Sequence, residues 1–246
     1  MSSLDGRAVL VTGGTRGIGK AIALRLARDG AAKVALGYFR NDRAADEAAE
    51  EVRAAGAEPV LVRGNVASDK VVAEFASHGP YGAIVHNAAT GVIRPALETE
   101  EKHWDWTLGT NARALLSLAR ACAPDMEPGS SIVAVSSLGS TRVLENYVLV
   151  GTSKAALESI VRYLAVELAP RGIRVNTVSA GVVETGALEH FPNRDEMLRM
   201  GNERTPAGRL VEPDDVANVV AFLCSPDAEM VRGHTLIVDG GFSLLA

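Results

Sequence analysis

Aromatic residues are scarce in this chain: Phe, Trp and Tyr make up 4% of its 246 residues. A core must therefore be built from Ala, Val, Leu and Ile, which the 47% hydrophobic content supplies. There are two cysteines, Cys122 and Cys224, each inside an apolar, helix-like run. They form no disulfide framework or metal pair and read as reduced core thiols of a cytosolic protein. The five histidines are scattered, with no His-x-x-x-His spacing, which argues against a protein-built metal site. Positive charge is also short: 25 Lys and Arg face 30 Asp and Glu, a net charge of −5. That balance argues against nucleic acid and anionic membranes as partners. No apolar run reaches the roughly eighteen residues needed to cross a bilayer. Asp5-Gly6 leads straight into a strand pattern, with no signal peptide before it. The expectation is a cytoplasmic protein with a single α/β domain over residues 1–246.

What is present is a regular alternation. Ala8-Val9-Leu10-Val11 is continuously apolar and reads as a strand buried on both faces. Further strands are expected at 34–36, 60–62, 83–85, 131–136, 174–178 and 235–238. Helical patterns lie between them: Ile18, Ile22 and Leu26 lead to a C-cap at Gly30, and others cover 43–55, 69–77, 107–123, 148–169 and 213–223. Asn111 falls inside the fourth helix, where an Asn is mildly unfavourable; it is either solvated or bonded to something specific. Residues 186–209 have weak periodicity, carry Pro192 and Pro206, and read as a lid or an insertion between core elements. Strands alternating with helices predict a parallel, doubly wound, Rossmann-like sheet with helices on both faces. Ligands bind such sheets beyond the carboxyl ends of the strands, where Gly13, Asn87, Ser137 and Gly181 fall.

The first strand runs into Thr12-Gly13-Gly14-Thr15-Arg16-Gly17-Ile18-Gly19 and then a helix. Glycines let a phosphate approach the backbone, and the helix N-terminus offers unpaired N–H groups to it. A dinucleotide cofactor with a free ribose 2′-hydroxyl usually meets an acid at the end of the second strand. Here the chain reads Gly37-Tyr38-Phe39-Arg40. Arg40 and Arg16 suit a 2′-phosphate through charge-assisted hydrogen bonds, although both also fit ordinary surface arginines. Farther on, Tyr147 and Lys154 stand with six residues between them. On a helix that is about two turns, so both point the same way, roughly 10 Å apart along the axis. The position for a pair one turn apart is Val150, which has no proton to give. Taken alone, the pair also fits a surface Tyr and a solvated Lys.

Together these residues resemble the short-chain dehydrogenase/reductase family from about Arg7 onward. The marks are Thr12-Gly13-x-x-x-Gly17-x-Gly19, Asn87-Ala88, Asn111, Ser137, Lys154, Arg174-Val175-Asn176 and Val238-Asp239-Gly240-Gly241. Val150 breaks the family's usual Tyr-x-x-x-Lys. Tyr147 seven residues before Lys154 is similar to the enoyl-acyl-carrier-protein reductase branch, as is Ser179-Ala180-Gly181. The NADPH-dependent type III of that branch is matched through His103-Trp104-Asp105-Trp106, His190-Phe191-Pro192-Asn193-Arg194 and Thr205-Pro206-Ala207-Gly208-Arg209. The resemblance implies NADPH as cofactor, held by Gly13, Thr15, Arg16, Gly17, Ile18 and Gly19 at the phosphates. Arg40 would lie at the 2′-phosphate, Asn65-Val66 at the adenine, Thr185 at a phosphate, and Asn87, Ala88, Gly181 and Val183 along the rest. Lys154 would bond the nicotinamide ribose. Tyr147 would donate to the substrate oxygen, with Ser137 and Asn111 completing the catalytic set. His86 for the usual Asn and Ala89 for the usual Gly are departures.

The spacing has a chemical reading. In ketone reduction the carbon that takes hydride also bears the oxygen that takes the proton. In a 2-enoyl thioester hydride goes to C3, while charge develops on the oxygen at C1, so the donor must sit farther along the substrate. The expected activity is reduction of an enoyl thioester, carried on acyl carrier protein or coenzyme A, by a homo-oligomer, commonly a tetramer in the family. A carbonyl reductase of the same fold and an inactive NADPH-binding protein remain alternatives. Arg194, Arg199, Arg204 and Arg209 are candidates for a basic rim facing an acidic carrier, or for a solvated surface.

Overall fold

A computed structural model describes residues 4–186 and 194–245. Seven strands are joined by helical connections: β1 (Ala8–Thr12), β2 (Lys33–Tyr38), β3 (Glu58–Arg63), β4 (Tyr81–His86), β5 (Ser131–Ser137), β6 (Arg174–Ala180) and β7 (Thr235–Val238). All pair in parallel, in the order β3-β2-β1-β4-β5-β6-β7. The order reverses between β1 and β4, so the connections after those two strands diverge and leave a crevice above them.

Eight α-helices are described: α1 (Gly17–Arg28), α2 (Asp42–Ala54), α3 (Asp69–Ala76), α4 (Glu101–Leu108), α5 (Ala114–Cys122), α6 (Val148–Glu167), α7 (Arg194–Arg204) and α8 (Pro213–Cys224). One face of the sheet is covered by α1, α2 and α8 through Ile22, Leu26, Val52, Val216 and Val220. The other is covered by α3, α5 and α6 through Phe75, Leu115, Leu118, Leu157 and Val161. Aliphatic side chains dominate both layers, and Cys122 and Cys224 are buried among them without a disulfide.

One expected element differs. The helix expected over 107–123 is broken by a π-turn at Gly109–Arg113, between α4 and α5. The turn admits an extra residue and directs Asn111 inward, where it is fully buried. The solvated alternative for Asn111 is therefore wrong. Its Oδ1 accepts from the Thr90 amide at 2.8 Å, and its Nδ2 donates to the Thr90 carbonyl at 2.8 Å and to Ser153 Oγ at 2.9 Å. The carboxamide thereby clamps the segment after β4 to α6.

Candidate active site

The crevice is a cleft of about 660 Å³ above the carboxyl ends of β1, β4 and β5. The turn after β1 forms one wall. Gly13 and Gly17 have φ of +63° and +52°, a left-handed conformation that glycine adopts without strain. A methyl group on Gly19 would stand 2.0 Å from the Gly13 carbonyl oxygen, so the turn folds tightly onto the start of α1. Arg16 occupies the N-cap without a side-chain capping bond, and the first turn holds no acid. The opening N–H groups of α1 and its positive dipole end are therefore available to an anion in the cleft. Thr185 lies across from Gly17, on the opposite lip.

The wall beyond β2 carries Tyr38, Phe39 and Arg40, with the Arg40 guanidinium 4.7 Å from the Phe39 ring centroid. Among the described residues no Asp or Glu lines the cleft. The acid nearest the end of β2, Asp42, is paired with Arg63 at 3.3 Å. Arg16 and Arg40 are both exposed and both line the cleft. Asn65 and the buried Val66 line the neighbouring wall.

The floor is a buried polar chain. Thr12 Oγ1 accepts the amides of Asn87 and Ala88 at 3.1 and 3.0 Å, so its own proton goes to His86 Nδ1 at 3.1 Å. His86 Nε2–H then donates to the Asn111 carbonyl at 3.2 Å, which fixes the tautomer. Burial pushes the imidazole down to about 4, and the Lys154 charge acts in the same direction, so His86 is neutral. The Asn87 carboxamide donates to the Gly13 and Thr12 carbonyls at 3.0 and 3.2 Å, tying the end of β4 to the glycine turn.

The far wall holds Ser137, Tyr147 and Lys154. Asn146, at φ +58°, turns the chain so that Tyr147 becomes the N-cap of α6. The Tyr147 hydroxyl donates to Ser137 Oγ over 3.4 Å. Burial raises the phenol above its ordinary range, against a smaller lowering by that hydrogen bond, so it remains a protonated donor. Lys154 is buried two turns on, and its Nζ donates to the Val135 carbonyl at 2.7 Å. Burial lowers this ammonium to about 8, with the Glu158 carboxylate opposing the shift.

Of the residues singled out in the sequence, Gly13, Thr15, Arg16, Gly17, Ile18, Gly19, Arg40, Asn65, Val66, Asn87, Ala88, Ser137, Tyr147, Lys154 and Thr185 all line the cleft. Three do not. Asn111 sits beneath the wall, Gly181 donates its amide to the Val238 carbonyl, and Val183 is buried and bridged to Val211. Sequence reasoning missed Thr90, Trp106 and Thr110, which also line it. Trp106 and Thr110 are four residues apart on one helical face, a spacing that was there to be read. The expected basic rim is largely neutralised. Arg194 pairs with Glu184 and Asp195, Arg199 with Glu203, and Arg209 with Asp215. Residues His190-Phe191-Pro192-Asn193 lie outside the described residues.

A family model described as "Enoyl-(Acyl carrier protein) reductase" matches residues 13–243. The chain is 37% identical to a 1-cyclohexenylcarbonyl-CoA reductase of Streptomyces collinus, over 96% of this chain and 87% of that protein. Its fold superposes on the Bacillus cereus enoyl-acyl carrier protein reductase, crystallised with NADP+ and indole naphthyridinone, with a TM-score of 0.92 at 29% identity over 100% of both chains. A short-chain dehydrogenase from Burkholderia cenocepacia, in complex with NADP, gives 0.89 at 32% identity over 98% of this chain and 99% of that one. The chain belongs to the short-chain dehydrogenase/reductase family.

Within this short-chain dehydrogenase/reductase, the vacant tyrosine position is closed as well as vacant. Val150 is buried, and a methyl group on Gly91 would stand 2.2 Å from Val150 Cγ2. The backbone after β4 packs against the side chain that replaces the nearer tyrosine. The departure at His86 is likewise built in, since both ring nitrogens of His86 are used by the floor.

Proposed function

We propose that this protein reduces the C2=C3 bond of trans-2-enoyl thioesters with NADPH. The observation that carries the reading is Tyr147, a protonated donor seven residues before Lys154, with the nearer position filled by Val150. The glycine cradle, the uncapped start of α1 and the acid-free wall bearing Arg16 and Arg40 fit the pyrophosphate and 2′-phosphate of NADPH. When bound, NADPH supplies a hydride to C3 of the enoyl group. Tyr147 donates a hydrogen bond to the thioester oxygen as negative charge gathers there and so stabilises an enolate, which collapses by taking a proton from solvent at C2 to give the saturated thioester. Before substrate binds, Ser137 accepts from Tyr147 and holds its hydroxyl in place; once the Tyr147 proton turns to the thioester oxygen, the Ser137 hydroxyl donates to the Tyr147 oxygen instead. The Lys154 ammonium would hold the ribose hydroxyls of the bound cofactor with the protons it does not give to Val135. Asn111, through Thr90 and Ser153, keeps the β4 loop and α6 in register.

The relatives are named for substrates on coenzyme A and on acyl carrier protein, which supports an acyl thioester of either kind, in fatty-acid or related acyl-chain synthesis. The segment 186–209 is read as a substrate lid, of which residues 187–193 lie outside the described residues. Tyr163 and Val166 leave α6 with an exposed apolar strip that suits a homotetramer contact. Among the described residues no helix is long and apolar enough to cross a membrane, and we read the protein as cytoplasmic. The Ser137–Tyr147 hydroxyl pair favours a second reading, reduction of a ketone. An NADPH-oxidation assay that compares crotonyl and acetoacetyl thioesters separates the two. Faster turnover of the acetoacetyl thioester would overturn the enoyl reading, and no turnover of either would leave a cofactor-binding protein.

A further inference from the structure

The Tyr147 ring rests on a residue that has no side chain. A methyl group on Gly139 would stand 2.6 Å from both Cδ1 and Cε1 of that ring, and 3.3 Å from Leu144 Cδ1. Contacts below about 3.0 Å force something to move, because packed interiors have no slack to absorb them. Gly139 does not need glycine for its backbone, since its φ is not among the positive values. Space is therefore what its missing side chain provides. Gly151 supplies the second half of the fit. A methyl there would meet the Gly139 carbonyl oxygen at 2.6 Å, so the first turn of α6 is pressed onto the turn after β5. The Gly139 amide also donates to Ser137 Oγ at 3.3 Å, the oxygen that receives the Tyr147 hydroxyl.

We propose that Gly139 is a positioning residue, whose bare α-carbon seats the Tyr147 ring and thereby sets where the proton donor stands along the substrate. The proposal rests on the reading of Tyr147 as that donor. It makes substrate choice depend on matched space as well as on the tyrosine: room at Gly139 beneath Tyr147, and no room beside Gly91 at Val150. Gly139→Ala would push the ring by about 1 Å, and a misplacement of that size can cost roughly 10²-fold in rate.

The test is a double-mutant cycle on enoyl-thioester reduction, together with the NADPH dissociation constant and the melting temperature. Gly139→Ala is expected to lower kcat by about 10²-fold, with cofactor affinity unchanged. Adding it to Tyr147→Phe should lower kcat no further, because the lost donor cannot be misplaced. Equal losses from Gly139→Ala with and without the Tyr147 hydroxyl, or no loss from Gly139→Ala where Tyr147→Phe is impaired, would overturn the proposal. If Tyr147→Phe is itself unimpaired, the functional reading fails, and the seat is judged by stability alone. Gly139→Ala should then destabilise the protein with the ring present, and cost nothing in a Tyr147→Ala background. The same comparison decides the matter if Gly139→Ala does not fold. Recovery of the fold on removing the ring supports the seat, and failure to recover excludes it.

Discussion

Glu158 stands one helical turn beyond Lys154 on the buried face of α6, and its carboxylate accepts a 2.5 Å hydrogen bond from Ser136. Ser136 adjoins Val135, whose carbonyl holds the Lys154 ammonium. A buried lysine and a buried carboxylate are thus tied to neighbouring residues of β5, with the carboxylate opposing the loss of charge that burial imposes on the lysine.

A pH dependence follows from that pair. With the Lys154 ammonium lowered to about 8, the charged form dominates below that pH and is lost above it. His86, held near 4, and Tyr147, held above its ordinary 10, lie on either side of this window. The NADPH dissociation constant should therefore rise as pH increases through 8. Glu158→Gln removes the charge that favours the ammonium, so its rise should begin at lower pH. Titrations of NADPH binding across pH 6 to 10 check this; superimposable curves for the two proteins would remove Glu158 from the account.

Arg16 and Arg40 are expected to read the 2′-phosphate. Replacing both with Ala should raise the Michaelis constant for NADPH and leave that for NADH nearly unchanged. A charge-assisted bond is worth about 1.5–3 kcal/mol, and exposure of both side chains favours the low end, roughly ten-fold. Equal effects on the two cofactors would show that these arginines do not discriminate.

Much of the fold was legible because its signals are local and repeated. Short apolar runs gave all seven strands, and the strand–glycine–helix order marked the turn that walls the cleft. Strand lengths were underestimated: Glu58 and Arg63 end β3 as exposed residues, so hydrophobicity could not mark its limits. The π-turn at Asn111 was hidden, because its cause is a tertiary clamp onto Thr90 and Ser153, far along the chain. The neutralised arginines were half-visible, since Arg199 and Glu203 are four apart while Arg194 and Glu184 are not. The sequence did not show what Gly139 and Gly91 make room for. Their meaning lies in what fills the space beside them, Tyr147 and Val150.

His86 should make acid stability distinctive. Its folded-state value near 4 is below the ordinary 6.5, so the unfolded chain binds the proton more readily between those values. The stabilising contribution of the neutral imidazole is present above about 6.5 and is lost as pH falls toward 4. Carboxylates add their own acid dependence, so the informative quantity is the difference between wild type and His86→Asn. That difference should shift in favour of the variant on going from pH 7 to pH 4.5. His86→Leu, by contrast, leaves Thr12 Oγ1 and the Asn111 carbonyl without this partner, at about 1–3 kcal/mol for each buried group. Its melting temperature should fall by several degrees at pH 7. Thermal unfolding of the three proteins at both pH values checks both expectations.

The displaced tyrosine gives the sharpest test of how register selects chemistry. Tyr147→Phe keeps the ring on Gly139 and removes only the donor, so kcat for an enoyl thioester should fall by ~10²–10³ while cofactor affinity holds. Adding Val150→Tyr restores a tyrosine one turn from Lys154, the spacing of ketone reductases. Gly91 stands in its way: Val150 Cγ2 already occupies the point 2.2 Å from where a Gly91 methyl would be. A larger ring must displace the chain after β4, which the Asn111 carboxamide holds through both polar groups of Thr90. Overpacking of that kind costs about 1–3 kcal/mol. The double variant should therefore melt lower than Tyr147→Phe alone and regain no enoyl reduction. Ketone reduction should emerge only if the loop yields, in which case the loss of stability and the new activity appear together. Full recovery of enoyl reduction in a protein as stable as Tyr147→Phe would show that the donor's place on α6 does not set the reaction.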